Sequence, residues 1–208
     1  MGWIRVIAVN EAGMPVVCSV RVLGTGMAPT LGGVDGWTEL ELPAGPQEVV
    51  VWADGYRSFH TDIEVIENGK TDIEVTLPGG RVAIEGDQVR VFDKLFFELD
   101  STELKPESFA LLDEVVELLL NHPEITLMSI EGHTDDQGDA QYNVDLSFGR
   151  AEAVVHYCTA QGIERERLQA RGHGENNPIL AGESDASRAA NRRVEFHIRE
   201  RMPEFPAE

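Results

Sequence analysis

The sequence predicts an α+β protein of two domains, an N-terminal antiparallel β-sandwich over residues 1–80 and a mixed sheet packed by helices over residues 81–208. Three observations predict it. The first eighty residues alternate in apolar character between closely spaced turns and show no helical period. Pro78-Gly79-Gly80 interrupts that pattern as a short linker. Beyond it, strand-like and helix-like apolar periods follow one another, as a single sheet covered by helices requires.

In the first domain, Trp3 to Asn10 alternates and Glu11-Ala12-Gly13 turns the chain into Pro15 to Gly24, which is rich in β-branched residues. Further strands are predicted at Trp37 to Leu42, Gln47 to Ala53, Phe59 to Ile66 and Lys70 to Leu77. Turns at Pro43-Ala44-Gly45, Asp54-Gly55 and Asn68-Gly69 separate them. Trp37, Trp52 and Tyr56 are expected to serve core and edge packing, because aromatics bury large areas in small β domains.

In the second domain, Gly86 to Phe97 reads as a strand and Pro106 suits the first turn of a helix. Phe109, Leu112, Val115, Val116 and Leu119 share one helical face, which Asn121-His122-Pro123 ends. A strand over Ile125 to Glu131 follows, then an acidic loop and a helix that Asp139 caps. That helix presents Ala151, Val154, Val155 and Cys158 to the core and should end near Gly162. Arg167 to Gly172 forms another strand, Ser184 to Asn191 a short helix, and Arg192 to Arg199 the last strand.

Composition narrows the function classes. At 42% apolar and 26% charged residues the chain is an ordinary globular one. Its net charge of −20, divided −7 over residues 1–80 and −13 over the remainder, argues against a hold on nucleic acid phosphates. Cys18 and Cys158 fall in different domains without paired spacing, which supports neither a disulfide framework nor a cysteine zinc site. Cys158 is expected to be an inert buried thiol. No apolar run approaches a membrane span. The opening Met1 to Asn10 lacks an apolar stretch and a cleavage site, so it reads as a strand; the protein is cytoplasmic, or its export signal is missing from this chain.

The stretch from Ile130 to Arg150 carries the candidate site. Asn143 and Arg150 are seven residues apart and share a helix face, with Asp135 on the loop above them. A carboxylate and a guanidinium so placed suit a zwitterion, and equally suit a structural salt bridge at a loop–helix junction. His133, Asp135, Asp136 and Asp139 have ligand chemistry, but the acidic loop lacks a second histidine nearby, so no metal or cofactor is expected. His133 is expected to be a junction histidine hydrogen-bonded to the backbone. No serine, threonine or cysteine has a nucleophile context, and Gly172-His173-Gly174 is not a phosphate-cradling loop, so catalysis is not expected.

Five segments share one register: Gly132-His133-Thr134-Asp135; Tyr142-Asn143 with Leu146-Ser147 and Arg150-Ala151; Arg171 to Glu175; Pro178-Ile179; and Asn191 to Phe196. In order and spacing they resemble the OmpA-like peptidoglycan-binding domain, which also occurs in peptidoglycan-associated lipoproteins and flagellar stators. The resemblance covers roughly residues 88 to 200. It implies an OmpA-like βαβαβ-type domain with helices on a mixed sheet, no enzymatic activity, and binding to the diaminopimelate of a peptidoglycan stem peptide. In the family the loop aspartate takes the ammonium and the helix arginine takes the carboxylate, which here are Asp135 and Arg150. Asp100, Asn143, Leu146 and Arg193 stand where relatives contact or frame that ligand. Asp100 is a carboxylate where some relatives have an amide, Gln137 replaces a small hydroxyl, and Gly149 replaces a longer residue before the arginine.

In residues 1–80, Asp35-Gly36, Leu40 to Gly45 and Asp54-Gly55-Tyr56 resemble carboxypeptidase regulatory-like, transthyretin-like modules, which implies an adhesive or spacing role. The family resemblance also implies a periplasmic or outer-membrane-associated location, with an export signal outside this chain. The expected partner is peptidoglycan, with an envelope protein as a possible further partner of the β domain. The alternative is a structural or assembly module that docks a protein partner without binding the cell wall.

Overall fold

Strict alternation along the first strand sets up the N-terminal core. In the computed structural model, which describes residues 1–202, β1 (Gly2–Asn10) turns Ile4, Val6 and Ala8 fully inward, while Trp3 is exposed. Then come β2 (Ser19–Val22), β3 (Thr30–Leu31), β4 (Trp37–Leu42), β5 (Gly45–Trp52), β6 (Phe59–Val65) and β7 (Lys70–Leu77). They form two sheets, β4-β1-β7 and β3-β2-β5-β6. Ile4, Val6, Leu42 and Leu77 from the first meet Val20, Val49, Val51 and Val65 from the second in one core.

One expectation is corrected here. The sandwich is not wholly antiparallel, because β1 and β7 run parallel, in register from Trp3 opposite Lys70 to Asn10 opposite Leu77. A parallel pair cannot be closed by a hairpin and needs a long connection, here supplied by β2 to β6. Turn signals report only neighbours in sequence and so are silent on this pairing. Trp52 is buried under the Arg21 guanidinium, 5.0 Å from its ring centre, whereas Trp37 stays exposed with its indole nitrogen donating to Asp35. Nor is Pro78-Gly79-Gly80 a free tether. Gly79 bridges Tyr56, the Arg57 amide donates to the Pro78 carbonyl at 3.0 Å and the Gly80 amide to Gly55 at 2.9 Å. The chain divides after Gly80, into Met1–Gly80 and a unit beginning at Arg81.

The second unit runs β8 (Val82–Glu85), β9 (Gln88–Val91), α1 (Phe109–Asn121), β10 (Ile125–His133), α2 (Ala140–Ala160), β11 (Leu168–Gly172), α3 (Asp185–Asn191) and β12 (Arg193–Arg201). The strand expected over Gly86 to Phe97 is shorter, Gln88–Val91, and is the second arm of a hairpin whose first arm is β8. Gly86, at φ +60°, turns β8 back into β9, and the strand stops at Val91. The sheet order is β11-β10-β12-β9-β8, parallel only between β10 and β11. Met128, Ile130, Phe196 and Ile198 from the sheet join Leu112, Val115 and Leu119 of α1 and Ala151, Val154 and Cys158 of α2 in one core. Burial pushes the Cys158 thiol up to about 12, so it packs as an inert apolar group.

Alternation sends the intervening residues to the other face of the sheet. Ser129, Glu131 and His133 stand opposite His197, Glu195 and Arg193 on β12, and Ser129 and Glu131 opposite Gln169 and Arg171 on β11. One sheet therefore has an apolar face under helices and a charged face.

Two paired glycines let α2 sit on the apolar face. Gly132 and Gly172 are register partners across β10 and β11. A Cβ on Gly132 would overlap the Ser147 carbonyl, and one on Gly172 would lie 2.6 Å from the Val144 carbonyl and 2.5 Å from the Phe148 amide. The obstacles are helix backbone, which cannot rotate aside. Gly132→Ala or Gly172→Ala is expected to destabilise this unit by about 1–3 kcal/mol or more, the usual cost of overpacking. The measurement is urea denaturation followed by the helical far-UV signal, since α1, α2 and α3 lie here. Tryptophan fluorescence should hold its midpoint, because Trp3, Trp37 and Trp52 all lie in the first unit.

Candidate functional site

The loop between β10 and α2 is fixed at both ends. Asp139 caps α2, its carboxylate accepting from the amides of Gln141 at 2.9 Å and Tyr142 at 3.1 Å. The Thr134 amide donates to the Gly174 carbonyl at 2.9 Å, and the His173 amide to the Gly132 carbonyl at 3.0 Å. Between them Asn143, only 3% exposed, donates through Nδ2 to the Gln137 carbonyl at 3.0 Å and to Glu175 Oε2 at 2.8 Å. Asn143 thus ties the acidic loop to the segment after β11.

Asp135 stands on this loop, with one oxygen accepting from the Gln137 amide at 3.2 Å and the other paired with Arg192 at 2.6 Å. The salt bridge that spacing allowed between Asp135 and Arg150 is therefore made by a different arginine. Asp136 likewise pairs with Arg188 at 2.7 Å.

Arg150 points into a cavity of about 270 Å³ lined by Lys94 to Asp100, His133, Ala189, Arg192 and Arg193. Its guanidinium lies 5.2 Å from the Phe97 ring centre, and its Nε donates to the Ser101 carbonyl at 3.0 Å. Neither terminal NH₂ bonds to any described residue. Burial pushes this guanidinium below its usual range, opposed chiefly by the nearby Asp100. Gly149 has a local reason to be small, since a Cβ there would meet the Thr102 methyl at 2.6 Å, beside the Ser101 carbonyl that anchors Arg150.

The other expected site residues separate into two groups. Asp100, held at φ +53° and accepting from the Tyr142 hydroxyl at 2.7 Å, lines the cavity with Arg150 and Arg193. That hydrogen bond pushes the Tyr142 phenol above its usual range. Arg193 is already engaged, donating to Glu195 at 2.6 Å and to the carbonyls of Asn177 and Asn191 at 3.1 and 3.3 Å. Asn143 is a buried clamp and the half-buried Leu146 is on α2; neither lines the cavity, and Asp135 connects to it through Arg192. Sequence reasoning passed over Arg192 as the partner of Asp135 and Phe97 as the platform for Arg150.

It also passed over a cluster on the charged sheet face. Asp135, Asp136 and Asp139 are spent on Arg192, Arg188 and the helix cap, so the expected acidic set does not gather around His133. Instead Glu131, His133 and His173 bring one donor atom each within 4.8 Å of one another. Glu131, 6% exposed, accepts from Ser129 Oγ at 2.8 Å, from His173 Nε2 at 2.7 Å and from Arg199. Burial pushes its carboxyl up, but these donors outweigh it and hold the pKa down at about 2. His133 is 3% exposed and stacks on His173, with ring centres 5.0 Å apart. It is not the satisfied junction histidine that was expected, since neither ring nitrogen has a hydrogen-bond partner among the described residues. Glu195 Oε2 is 3.7 Å from Nε2. Burial, with Arg193 next, pushes the His133 pKa down to about 4, which keeps the imidazole neutral.

These features define a class, an α+β domain with a cationic cavity where β10 ends and β12 begins. Residues 96–192 match the OmpA family. The chain is 38% identical over 109 residues to a peptidoglycan-associated lipoprotein of Pseudomonas putida, covering 52% of this chain and 64% of that protein. It is 33% identical over 134 residues to the peptidoglycan-associated lipoprotein of Pseudomonas aeruginosa, covering 62% and 79%. Among solved structures, the peptidoglycan-associated lipoprotein from Burkholderia pseudomallei aligns with a TM-score of 0.46 at 32% identity, covering 50% of this chain and 86% of that one. The chain belongs to the OmpA family through its second unit. No helix among the described residues is long and apolar enough to cross a membrane.

Asn143→Ala is expected to destabilise the second unit by about 1–2 kcal/mol, because it removes the hydrogen bonds by which a buried side chain joins the acidic loop at Gln137 to Glu175. The helical far-UV midpoint in urea should fall. An unchanged midpoint would show that the loop holds itself.

Proposed function

We propose that the second unit binds peptidoglycan non-covalently, with Arg150 taking the side-chain carboxylate and Asp135 the neighbouring ammonium of diaminopimelate in the stem peptide. The protein then acts as a non-catalytic anchor in the periplasm, associated with the outer membrane. The observation that carries this reading is Arg150 itself, a half-buried guanidinium held by its Nε and by Phe97, with both terminal NH₂ groups unspent on a cavity. A planar fork so oriented suits a carboxylate taken bidentately. The names of the relatives, peptidoglycan-associated lipoproteins and an outer membrane protein A of Bordetella avium, support peptidoglycan as the ligand and this location.

Arg192 adds a step that spacing alone did not suggest. The ligand ammonium competes with Arg192 for Asp135, so binding exchanges one ion pair for another and its net gain is smaller than a fresh pair would give. Asp100 repels the incoming carboxylate and tempers affinity further. To Met1–Gly80, whose motifs are similar to those of transthyretin-like accessory modules, we assign spacing or adhesion to an envelope protein.

Arg150→Ala should weaken binding to purified sacculi by roughly 2–4 kcal/mol while the protein stays folded, since truncating one partner of a desolvated pair strands the other. Co-sedimentation measures it. Unchanged affinity in a folded variant would favour the alternative, a module that docks a protein partner with this fold.

Ligand choice gives a sharper outcome. A stem peptide with lysine at its third position lacks the side-chain carboxylate and leaves the guanidinium unpaired. Discrimination in favour of the diaminopimelate peptide should exceed about 100-fold by calorimetric titration, because sites built around a polar group reject analogues lacking it. Equal affinities would show that Asp135 and Arg150 do not read the diamino acid.

A further inference from the structure

We propose that Glu131, His133 and His173 form a binding site for a divalent transition metal, with Zn²⁺ the best-fitting ion, on the charged face of the second unit's sheet. Their donor atoms already lie within 4.8 Å of one another, and a tetrahedral zinc centre sets its donors about 3.4 Å apart. The donor atoms would have to close by at most about 1.4 Å to meet that geometry. Strand geometry supplies two of the ligands, since Glu131 and His133 are two apart on β10 and project to the same side. The third follows β11, the parallel neighbour of β10, where the His173 amide is pinned to the Gly132 carbonyl.

Independent of that gathering, His133 is a buried imidazole with neither nitrogen partnered among the described residues. A buried polar group normally has a partner, and an orphan bears the full cost of its lost hydration. A metal–nitrogen bond would use the lone pair that no donor among the described residues reaches.

The two oxygens of Glu131 have separate duties. Oε1 accepts from Ser129 and Arg199, which fixes the carboxylate as an outer-shell partner of a metal ligand does. Oε2 faces His173 Nε2 at 2.7 Å. On metal entry that hydrogen bond is exchanged for two metal bonds, and the Nε2 proton moves to Nδ1 or to water. His173 is the most exposed of the three, so entry and the fourth ligand, a water, belong on its side.

The neighbouring charges decide which ion fits. Arg199 pairs with Glu131, and Arg193 with Glu195, so the acids are already neutralised and a dication adds uncompensated charge. Hard ions that depend on anionic oxygen, such as Mg²⁺ and Ca²⁺, are disfavoured, whereas bonding to two imidazoles favours Zn²⁺.

The test is calorimetric titration of the untagged full chain with ZnCl₂, with Co²⁺ as a spectroscopic probe. The expected result is one saturable equivalent and cobalt visible absorption of four- or five-coordinate intensity, both lost in His173→Gln and retained in His156→Gln, a change at an exposed position on α2. A hundredfold excess of Mg²⁺ should not displace the zinc. Absence of saturable binding, binding that survives His173→Gln, or loss in His156→Gln would each overturn the site. If His173→Gln fails to fold, histidine ¹⁵N resonances of the unaltered protein decide. Zinc should shift His133 and His173, and shifts confined to other histidines would overturn the assignment.

Discussion

Direct contact between the backbone of α2 and the backbones of β10 and β11 is the constraint on which the second unit depends. It exists because Gly132 and Gly172 stand side by side where the helix crosses. That seat places Ser147 so that its hydroxyl accepts from the Gly174 amide at 2.9 Å and donates to the Val144 carbonyl. The same seat holds Asn143 against Gln137 and Glu175, and carries Arg150 to Ser101 and Phe97. A helix held a methyl group further out would lose these bonds together, since each operates only over about 3 Å. The small residues at the seam are thus as much a part of the candidate site as its charged ones.

A sheet with one apolar and one charged face must settle its ionic groups among themselves. Glu131 and Glu195 do so with Arg199, Arg193, His173 and His197. Low local dielectric strengthens such contacts when complete and penalises any member left out. His133 is the member left out, neutral and unpartnered beside His173. Its position at the end of β10, among the residues that line the Arg150 cavity, makes the orphan imidazole common to the charged face and the candidate ligand site.

The chain carries a net charge of −20, yet its cavity gathers Lys94, Arg150, Arg192 and Arg193. Long-range repulsion of polyanions and short-range attraction of a carboxylate are compatible, because exposed charges are screened beyond about 10 Å while a half-buried pair is not. Within the cavity, Arg193 is tied to Glu195 and to backbone, Arg192 to Asp135, and Arg150 to the Ser101 carbonyl alone. Only the last keeps both ends of its fork available.

Local features were legible in the sequence because they rest on near neighbours. Alternation gave most strands of both units, though not β3 or β8, Asp139 announced the start of α2, Asn121-His122-Pro123 the end of α1, and the five spaced motifs the family of residues 96–192. What the sequence could not reveal was set by partners distant along the chain. Asp135 found Arg192 rather than Arg150, β1 found β7 in parallel, and His133 met a second histidine forty positions away. Charge pairing, sheet order and ligand clusters depend on distance in space, and a short-range pattern carries no record of which of many arginines or histidines the fold will bring within reach.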